Sequence, residues 1–274
     1  MSTSLEAPDH LDQAMDGAGL LAGAANIIMQ LAHPGVGYGV YESKVESGQL
    51  FRHPIKRTRT TLTYLVVAAR GTDEEKAAFR TGVNRAHAKV RSTPDSPVQY
   101  NAFDPELQLW VAACIYRGFE DVNRALHGDL SPAAAEFFYK EGATFGTTLQ
   151  VPPEMWPEDR IAFEEYWNRS LANVSIDDTI REHVLSIARL EFLPTIVSRL
   201  FGPMNLFFTR GFLPQHFRDE MQLAWSEKDQ RRFDRVMHTI GAISRRFPDA
   251  IRELPYNLLM RDLRWRIKSG RPLI

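Results

Sequence analysis

Hydrophobic residues recur at helical spacing along most of this sequence, and the strict alternation that is typical of strands is absent. The segment over residues 55–70 is an example, because Leu62, Leu65, Val66 and Ala69 fall on one stripe of a helix. Most other positions of the segment are polar or small. The pattern therefore predicts an amphipathic helix here and a fold built from helices.

Capping signals divide the chain into separate helices. A predicted start has Asp or Ser before the first helical residue, often with Pro at the first position or an acidic residue three positions on. The predicted starts are Asp104-Pro105 (a helix to about Arg124), Ser131-Pro132 (a helix through Glu141), Pro157-Glu158-Asp159, Ser175 with Asp178, and Ser226 with Asp229. Together with the Gly and Pro breakers they predict about nine or ten helices and an all-α fold.

A very short connection follows the helix over residues 55–70. We expect Gly71 to close that helix in the left-handed conformation, Thr72 to cap the next helix, and Glu75 to complete a capping box. Residues 55–92 are therefore predicted to form two antiparallel helices joined by a tight turn.

Polar residues of these two helices are predicted to meet. Arg57 on the first helix and His87, in the middle of the second, both lie roughly 20 Å from the turn. Arg57, Thr60, Thr61 and Tyr64 share one face of the first helix, because they follow i, i+3, i+4, i+7 spacing. A cation, two hydroxyls and a phenol opposite an imidazole are unusual in a packed seam. The spacing therefore predicts a functional site.

Composition limits the class of protein. The chain has 274 residues, 44% of them hydrophobic, and a mean hydropathy of −0.30, which suits a soluble protein with a large core. The 33 lysines and arginines nearly balance the 34 aspartates and glutamates. No overall field attracts nucleic acid, and we expect none as a partner.

The number of cysteines and the length of the apolar segments indicate which cellular compartment to expect. The single cysteine, Cys114, cannot form an intrachain disulfide, and its apolar surroundings predict a packed core residue in a reducing compartment. Residues 1–6 lack the basic segment of a signal peptide, and the apolar stretch 17–31 is too short to span a membrane and contains Asn26 and Gln30. We therefore expect a cytoplasmic protein without a membrane span.

Several familiar motifs are incomplete or absent. The run over residues 17–23 imitates a dinucleotide-binding fingerprint, but residues 9–16 do not form the strand that this motif needs. We interpret the run as a small-residue helix that permits close packing. No histidine stands three residues after a glutamate, which excludes a di-iron bundle. His-x-x-x-His and Gly-x-Ser-x-Gly are absent too, so zinc peptidase and serine hydrolase functions are unsupported.

The role of His87 depends on its surroundings, because a lone histidine in a helix is ordinarily a structural group. Neutral imidazole is a normal ligand of haem iron, and an arginine such as Arg57 can hold a propionate or bond to an oxygen ligand. Two helices in ordinary contact, about 8 to 10 Å apart, leave no space for a macrocycle. A haem site here therefore requires the two helices to splay or to face a third wall.

A set of short motifs carries a resemblance to a known family. The motifs are Gln30-Leu31-Ala32-His33-Pro34-Gly35-Val36, Arg57-x-x-Thr60-Thr61, Val83-Asn84-x-x-His87, Tyr100-Asn101-Ala102-Phe103-Asp104-Pro105 followed by Trp110, and Tyr139-x-Glu141. In this order and spacing the chain resembles the MpaB-like oxygenase family, also described as domain of unknown function 2236, which forms the core of the latex clearing proteins. The similarity spans roughly residues 17–265. It implies a single haem-binding domain over residues 1–274, with an all-helical fold related to the globin type.

The resemblance implies roles for individual residues. His87 falls on the family's proximal ligand to the iron of a non-covalent haem b, and Arg57 and Thr61 fall on its distal pocket. Thr60 stands where latex clearing proteins carry a lysine, so the distal position is expected to be open or water-filled. Tyr64 and His33 complete the expected pocket. From its own position, His33 is expected to be a helix-end residue that bonds to nearby carbonyls, with a pocket role second.

Three classes of function stay open at this point. The leading one is a haem-dependent oxygenase that uses O₂ on an apolar, isoprenoid-type small molecule, with an unidentified electron donor and peripheral contact to membranes as further expectations. The second is a haem protein that binds or senses a gas, or carries haem, without turnover. The third is a helical module that binds apolar ligands or a membrane surface and has lost the cofactor, which is disfavoured because burying His87 and Arg57 without use is costly.

Overall fold

The computed structural model describes Leu11 and residues 15–274, and within them helices are the only regular elements. The α-helices are α1 (Gly23–Leu31), α2 (Pro34–Tyr41), α3 (Pro54–Arg70), α4 (Asp73–His87), α5 (Pro105–His127), α6 (Pro132–Gly142), α7 (Thr144–Thr147), α8 (Arg160–Ser170), α9 (Asp178–Ala188), α10 (Thr195–Phe212), α11 (Gln215–Glu220), α12 (Glu227–Ser244), α13 (Asp249–Arg252) and α14 (Leu254–Ser269). Short 3₁₀ helices occupy Gly17–Ala22, Glu46–Gly48, Pro153–Met155 and Leu171–Asn173. The predicted all-α fold is confirmed.

Most predicted helix starts are confirmed by their hydrogen bonds. Thr72 and Glu75 form the expected capping box at α4, and Ser226 with Asp229 forms another at α12. Asp104 caps α5. The predicted helix number is too low, because helices such as α7 and α11 have four and six residues and therefore carry no readable hydrophobic period.

Two local predictions are wrong for physical reasons. Gly71 is extended, with φ −70° and ψ 146°, instead of left-handed. It is needed for close approach, because a Cβ there would lie 2.5 Å from the carbonyl oxygen of Val67. Helix α9 is capped by Asp177 and not by Ser175, whose backbone N–H donates to the carbonyl of Ala32 over 3.0 Å.

The second helix of the pair is shorter than predicted. Helix α4 ends at His87, so this histidine lies at the helix C-terminus and the prediction of a mid-helix position is wrong. The chain then pairs with the segment before α5, where Ala102 N–H donates to Val90 O over 3.0 Å and Arg91 and Asn101 form an isolated bridge. This pairing takes the backbone out of the helix.

The glycine-rich segment near the N-terminus packs closely, as the small-residue interpretation expects. A Cβ at Gly17 would lie 3.1 Å from the carbonyl oxygen of Arg252, and one at Gly19 would lie 3.3 Å from Val122. The expectations for residues 1–6 and for most of residues 9–16 fall outside the described residues.

The main core surrounds α5. Thirteen of its 23 residues are buried, and its neighbours include α1, α7 and α12. Trp110 stacks on Trp167 with ring centroids 5.3 Å apart and donates from Nε1 to Gln30 O over 3.1 Å. Cys114 is buried and unbridged. A smaller cluster joins α3, α4 and α14 through Met15, Val66, Val67, Phe79, Tyr256, Met260 and Leu263.

None of the helices in the described part of the chain is both long enough and apolar enough to cross a bilayer.

Candidate functional site

Arg57 and His87 lie close enough to interact electrostatically. Burial, and then the positive charge of Arg57, lower the pKa of His87 to about 4. Burial also lowers the pKa of the Arg57 guanidinium. The first turn of α3 and the last turn of α4 are therefore near each other, and a shared site stays a prediction. At neutral pH this places a neutral imidazole beside a cation.

Neither the buried nitrogen of His87 nor the Arg57 guanidinium has a hydrogen-bond partner among the described residues. Nδ1 of His87 is buried and has no hydrogen bond, and no described carboxylate or carbonyl accepts from the Arg57 guanidinium. Buried polar groups are normally satisfied, and each exception calls for an explanation. A bound group that supplies the missing interactions is one such explanation.

The two threonine hydroxyls of α3 donate within their own helix. Thr60 Oγ1 donates to Lys56 O over 2.9 Å, and Thr61 Oγ1 donates to Arg57 O over 3.1 Å. Thr60 is buried, whereas Thr61 is half-buried. Because the hydroxyl protons are used in this way, the oxygens face their surroundings chiefly as hydrogen bond acceptors.

Tyr64 contacts neighbouring helices rather than the guanidinium. Its hydroxyl donates to the carbonyl of Phe145, and its ring stacks on Phe79 with centroids 6.3 Å apart. Burial raises the pKa of this phenol. These contacts join α3 to α4 and to the α7 turn, so the structure gives Tyr64 a packing function. Its proposed place in a cofactor pocket stays a prediction.

His33 lies between α1 and α2 and caps the second of them. Its Nδ1 accepts from Gly35 N–H over 3.2 Å, so its partner is an amide and not the carbonyl that was expected. Its ring lies 6.4 Å from that of Trp110, and burial lowers its pKa. The contacts of His33 are thus with α2 and α5, and a pocket role stays a prediction.

Three further side chains shape the His87 end of α4. The ring of Phe103 meets the imidazole edge-on at 6.2 Å. Asn84, one turn before His87, accepts from Gln150, which also accepts from Gln108 Nε2 over 2.7 Å. Gln108 lies in the first turn of α5, so these amides attach α4 to the central helix. Phe103 and Asn84 belong to the motifs quoted above, but no local signal marks Gln150.

The loop that leaves His87 is fixed against α2. Ser96 Oγ donates to Glu42 Oε2 over 2.7 Å, and Tyr100 OH donates to the same oxygen over 2.6 Å. Glu42 directly follows α2. One carboxylate therefore holds both branches of the loop over residues 92–101. That the loop lines a pocket mouth stays a prediction.

Helix α4 is thinly covered at this end. Phe79 is the only one of its fifteen residues that is buried, and His87 is half-buried. Across the described residues, no three His, Cys, Asp or Glu side chains come together as a cage for a metal ion. A metal ligated by His87 must therefore bring its other donors with it, as the iron of a macrocycle does.

Comparison with known proteins gives a family and two relatives. The family described as "ER-bound oxygenase mpaB/B'/Rubber oxygenase, catalytic domain" matches residues 12–242. "Uncharacterized protein Rv2237" of Mycobacterium tuberculosis (strain ATCC 25618 / H37Rv) and "Uncharacterized protein Mb2261" of Mycobacterium bovis (strain ATCC BAA-935 / AF2122/97) are each 51% identical over 255 residues, which cover 93% of this chain and 100% of theirs. No solved structure matches the chain.

Proposed function

Because the chain belongs to the mpaB and rubber oxygenase catalytic-domain family, we propose that it is a haem b-dependent oxygenase acting with O₂ on an apolar, isoprenoid-type substrate. The family consists of oxygenase catalytic domains, so the chain is an enzyme of the oxygenase class. The cofactor, the residues that hold it and the substrate class are our proposal.

The observation that carries the proposal is the pair of unsatisfied groups at one place. His87 offers an imidazole with a buried, unpaired Nδ1, and Arg57 offers a guanidinium that no described side chain neutralises. A haem site can use both kinds of group, since imidazole ligates iron and a guanidinium can donate to an oxygen ligand. The thin cover of α4 along its length is consistent with a bulky partner on this helix.

The protonation states suit these roles. With its pKa lowered to about 4, His87 is neutral at physiological pH, and only the neutral imidazole has a free lone pair for a metal. Arg57 keeps its positive charge and can hold an anion. When bound, haem supplies the chemistry of O₂ that none of these side chains supplies.

The surrounding residues would orient the reactants and limit water. Phe103 covers an edge of the imidazole, and the amide contact of Asn84 holds the helix end in place. Thr60 offers a hydroxyl where related proteins carry an amine, so no lysine here competes for the distal position. Arg57 and Thr61 would then face O₂ and an apolar substrate, and an external donor would supply any electrons required.

The direct test is the absorption spectrum of protein purified with haem, recorded oxidised, reduced and with carbon monoxide. We expect a Soret band that carbon monoxide shifts, and we expect His87→Ala to lose it. His127→Ala is a matched control, because His127 also ends a helix and also has a pKa lowered by burial. A normal haem spectrum in His87→Ala contradicts the ligand assignment.

A second test separates binding from catalysis. Arg57→Ala is expected to retain part of the haem but to slow O₂ uptake driven by an isoprenoid alkene by about a hundredfold, because one charged donor near developing charge contributes on this order. Arg85→Ala, an exposed arginine of α4, is the control. If haem binds but no apolar alkene stimulates O₂ uptake, the non-catalytic haem protein becomes the better description.

A further inference from the structure

Exposed apolar side chains follow one another along the chain after residue 242, where the family match ends. Leu258 is 53% exposed and Trp265 is 48% exposed. We define the C-terminal face by these two residues and the similarly exposed Phe247, Ile251 and Leu254. Apolar exposure alone does not single out this face, because helix α10 exposes a comparable row: Ile196, Leu200, Phe201 and Met204.

Helix α14 is amphipathic across this face. Leu254, Leu258, Arg261 and Trp265 follow spacings of four, three and four residues, which sets them on one exposed side of the helix. The other side packs inward on α3 through buried residues that include Met260. The helix is therefore anchored by one face and presents leucine, arginine and tryptophan with the other.

Within residues 245–271, the charged side chains that have no partner of opposite charge in the described part of the chain are all positive. Each carboxylate of residues 245–271 pairs with an arginine: Asp249 with Arg252, Glu253 with Arg70 at 2.9 Å, and Asp262 with Arg59 at 3.1 Å and Arg266 at 2.7 Å. Arg246, Arg261, Lys268 and Arg271 are exposed and have no carboxylate partner among the described residues. Arg271 instead lies 4.5 Å over the ring of Trp265.

We propose that the C-terminal face docks on a membrane surface with anionic headgroups. Leucine and tryptophan side chains can enter the headgroup boundary, while unpaired arginine and lysine bind lipid phosphates and carboxylates. A second copy of this chain fits less well, because a twofold contact would oppose the same free cations. A stack of arginine on tryptophan suits the interface, where one end of the indole is apolar and the other is wet.

An open groove of about 610 Å³ lies beside the face. It runs between the first turn of α3 and the end of α14, where Ile55, Arg59, Arg266 and Ile274 line it. Ile55 is 84% exposed. If the proposed function holds, docking would bring α3 close to the phase in which apolar substrates dissolve. The docking itself needs neither haem nor turnover.

The contribution of charge to membrane binding is tested by flotation. One set of vesicles contains phosphatidylcholine alone, and the other contains phosphatidylcholine and phosphatidylserine in equal parts. We expect the protein to float only with the second, and more weakly as salt rises. Arg261→Gln/Lys268→Gln should weaken the partition coefficient about thirtyfold. The control Arg199→Gln/Arg235→Gln removes exposed, unpaired cations from α10 and α12 and should change it little.

The contribution of apolar side chains to membrane binding is tested with Leu258→Ser/Trp265→Ser, which alters only exposed side chains. Leu200→Ser is the control, because Leu200 is 68% exposed on α10. We expect the first variant alone to lose flotation. Equal flotation of both variants and wild type overturns the proposal, and loss in Leu200→Ser alone assigns docking to α10. Dimers in sedimentation that Leu258→Ser/Trp265→Ser abolishes, without vesicle binding, would identify a second copy as the partner.

Each result is independent of the oxygenase proposal. Flotation is measured on protein without haem, so a negative result leaves the haem spectrum and O₂ uptake untouched. Conversely, a protein that binds no haem can still float with phosphatidylserine. Failure of one proposal is therefore distinguishable from failure of the other.

Discussion

Helices α5 and α4 differ in how fully the protein covers them. α5 has thirteen buried residues out of 23, and Trp110 donates to a backbone carbonyl from the adjoining helix. α4 has one buried residue out of fifteen, and its last residue, His87, has a buried nitrogen without a partner. Burial of apolar surface stabilises a fold. Helix α5 therefore contributes far more buried surface to the core than α4 does, and a bound molecule at the end of α4 stays our proposal.

Two arginines show a similar contrast, because one has carboxylate partners and the other has none among the described residues. Arg117 on α5 bonds to Glu120 at 3.0 Å and to Glu164 at 2.7 Å, and lies 5.1 Å over the ring of Trp167. Arg57 on α3 has no such partner among the described residues. A buried charge that is unpaired costs stability unless a ligand compensates it. The two arginines thus differ in their contacts within the protein, and a bound group that pairs with Arg57 stays our proposal.

The largest expected difference is between aromatic residues of the two regions. Trp110→Ala should lower the free energy of unfolding by about 4 kcal/mol, because it leaves a cavity against Trp167 and frees a carbonyl. Phe103→Ala, beside His87 and 36% exposed, should lower it by less than about 1 kcal/mol. Urea unfolding of protein without haem measures both. Similar losses would contradict the distinction between core and site.

The next prediction compares the two arginines directly. Arg117→Ala should cost about 3 kcal/mol, since it leaves Glu120 short of a partner in a buried position. Arg57→Ala should leave the free energy of unfolding unchanged or raise it slightly, because it removes an unpaired charge. Urea midpoints of haem-free protein decide this. A large loss in Arg57→Ala would mean that the guanidinium supports the fold itself.

The sequence predicts the fold better than it predicts the site. Caps such as Thr72 and Asp104 depend on hydrogen bonds between near neighbours, so their spacing is readable along the chain. The distances of Arg57 and His87 from the turn are readable in the same way, because a tight turn aligns the two helices. The end of α4 was misplaced because its cause is non-local, namely pairing of residues 90–92 with residues 100–102.

The site residues that sequence reasoning missed have the same explanation. Gln150 reaches Asn84 across 66 positions of the chain, and no periodicity links residues at such a separation. Helical spacing predicts that Tyr64 lies on the same face as Arg57. One face of a helix, however, is wide enough to contact two neighbouring helices. The Tyr64 hydroxyl meets the carbonyl of Phe145 instead. Spacing thus predicts the face of a residue and not its partner.

Acid should lower the free energy of unfolding through His87. The pKa of His87 is about 4 in the folded state against 6.5 in the reference state, so the unfolded chain binds the proton more readily. The neutral imidazole makes its full contribution to the free energy of unfolding above about pH 6.5, and this contribution is lost as the pH falls toward 4. By pH 5 the loss should be about 2 kcal/mol.

The measurement is the difference in urea stability between wild type and His87→Gln from pH 7 to pH 5. We expect the wild type to lose more stability over this interval. His127, whose pKa is also lowered by burial, is present in both proteins and cancels. Parallel curves would mean that His87 is as accessible to protons in the folded state as in the unfolded one.

The smallest expected effect isolates the charge of Arg57. Arg57→Gln removes the positive charge that, after burial, lowers the pKa of His87, so that pKa should rise by less than about one unit. It should stay below 6.5, because burial is the larger cause and persists. An NMR titration of the His87 ring proton measures the rise, and Arg85→Gln, two residues from His87 but exposed, should not reproduce it. An unchanged pKa in Arg57→Gln would separate the two groups and remove the reason to assign them to one bound molecule.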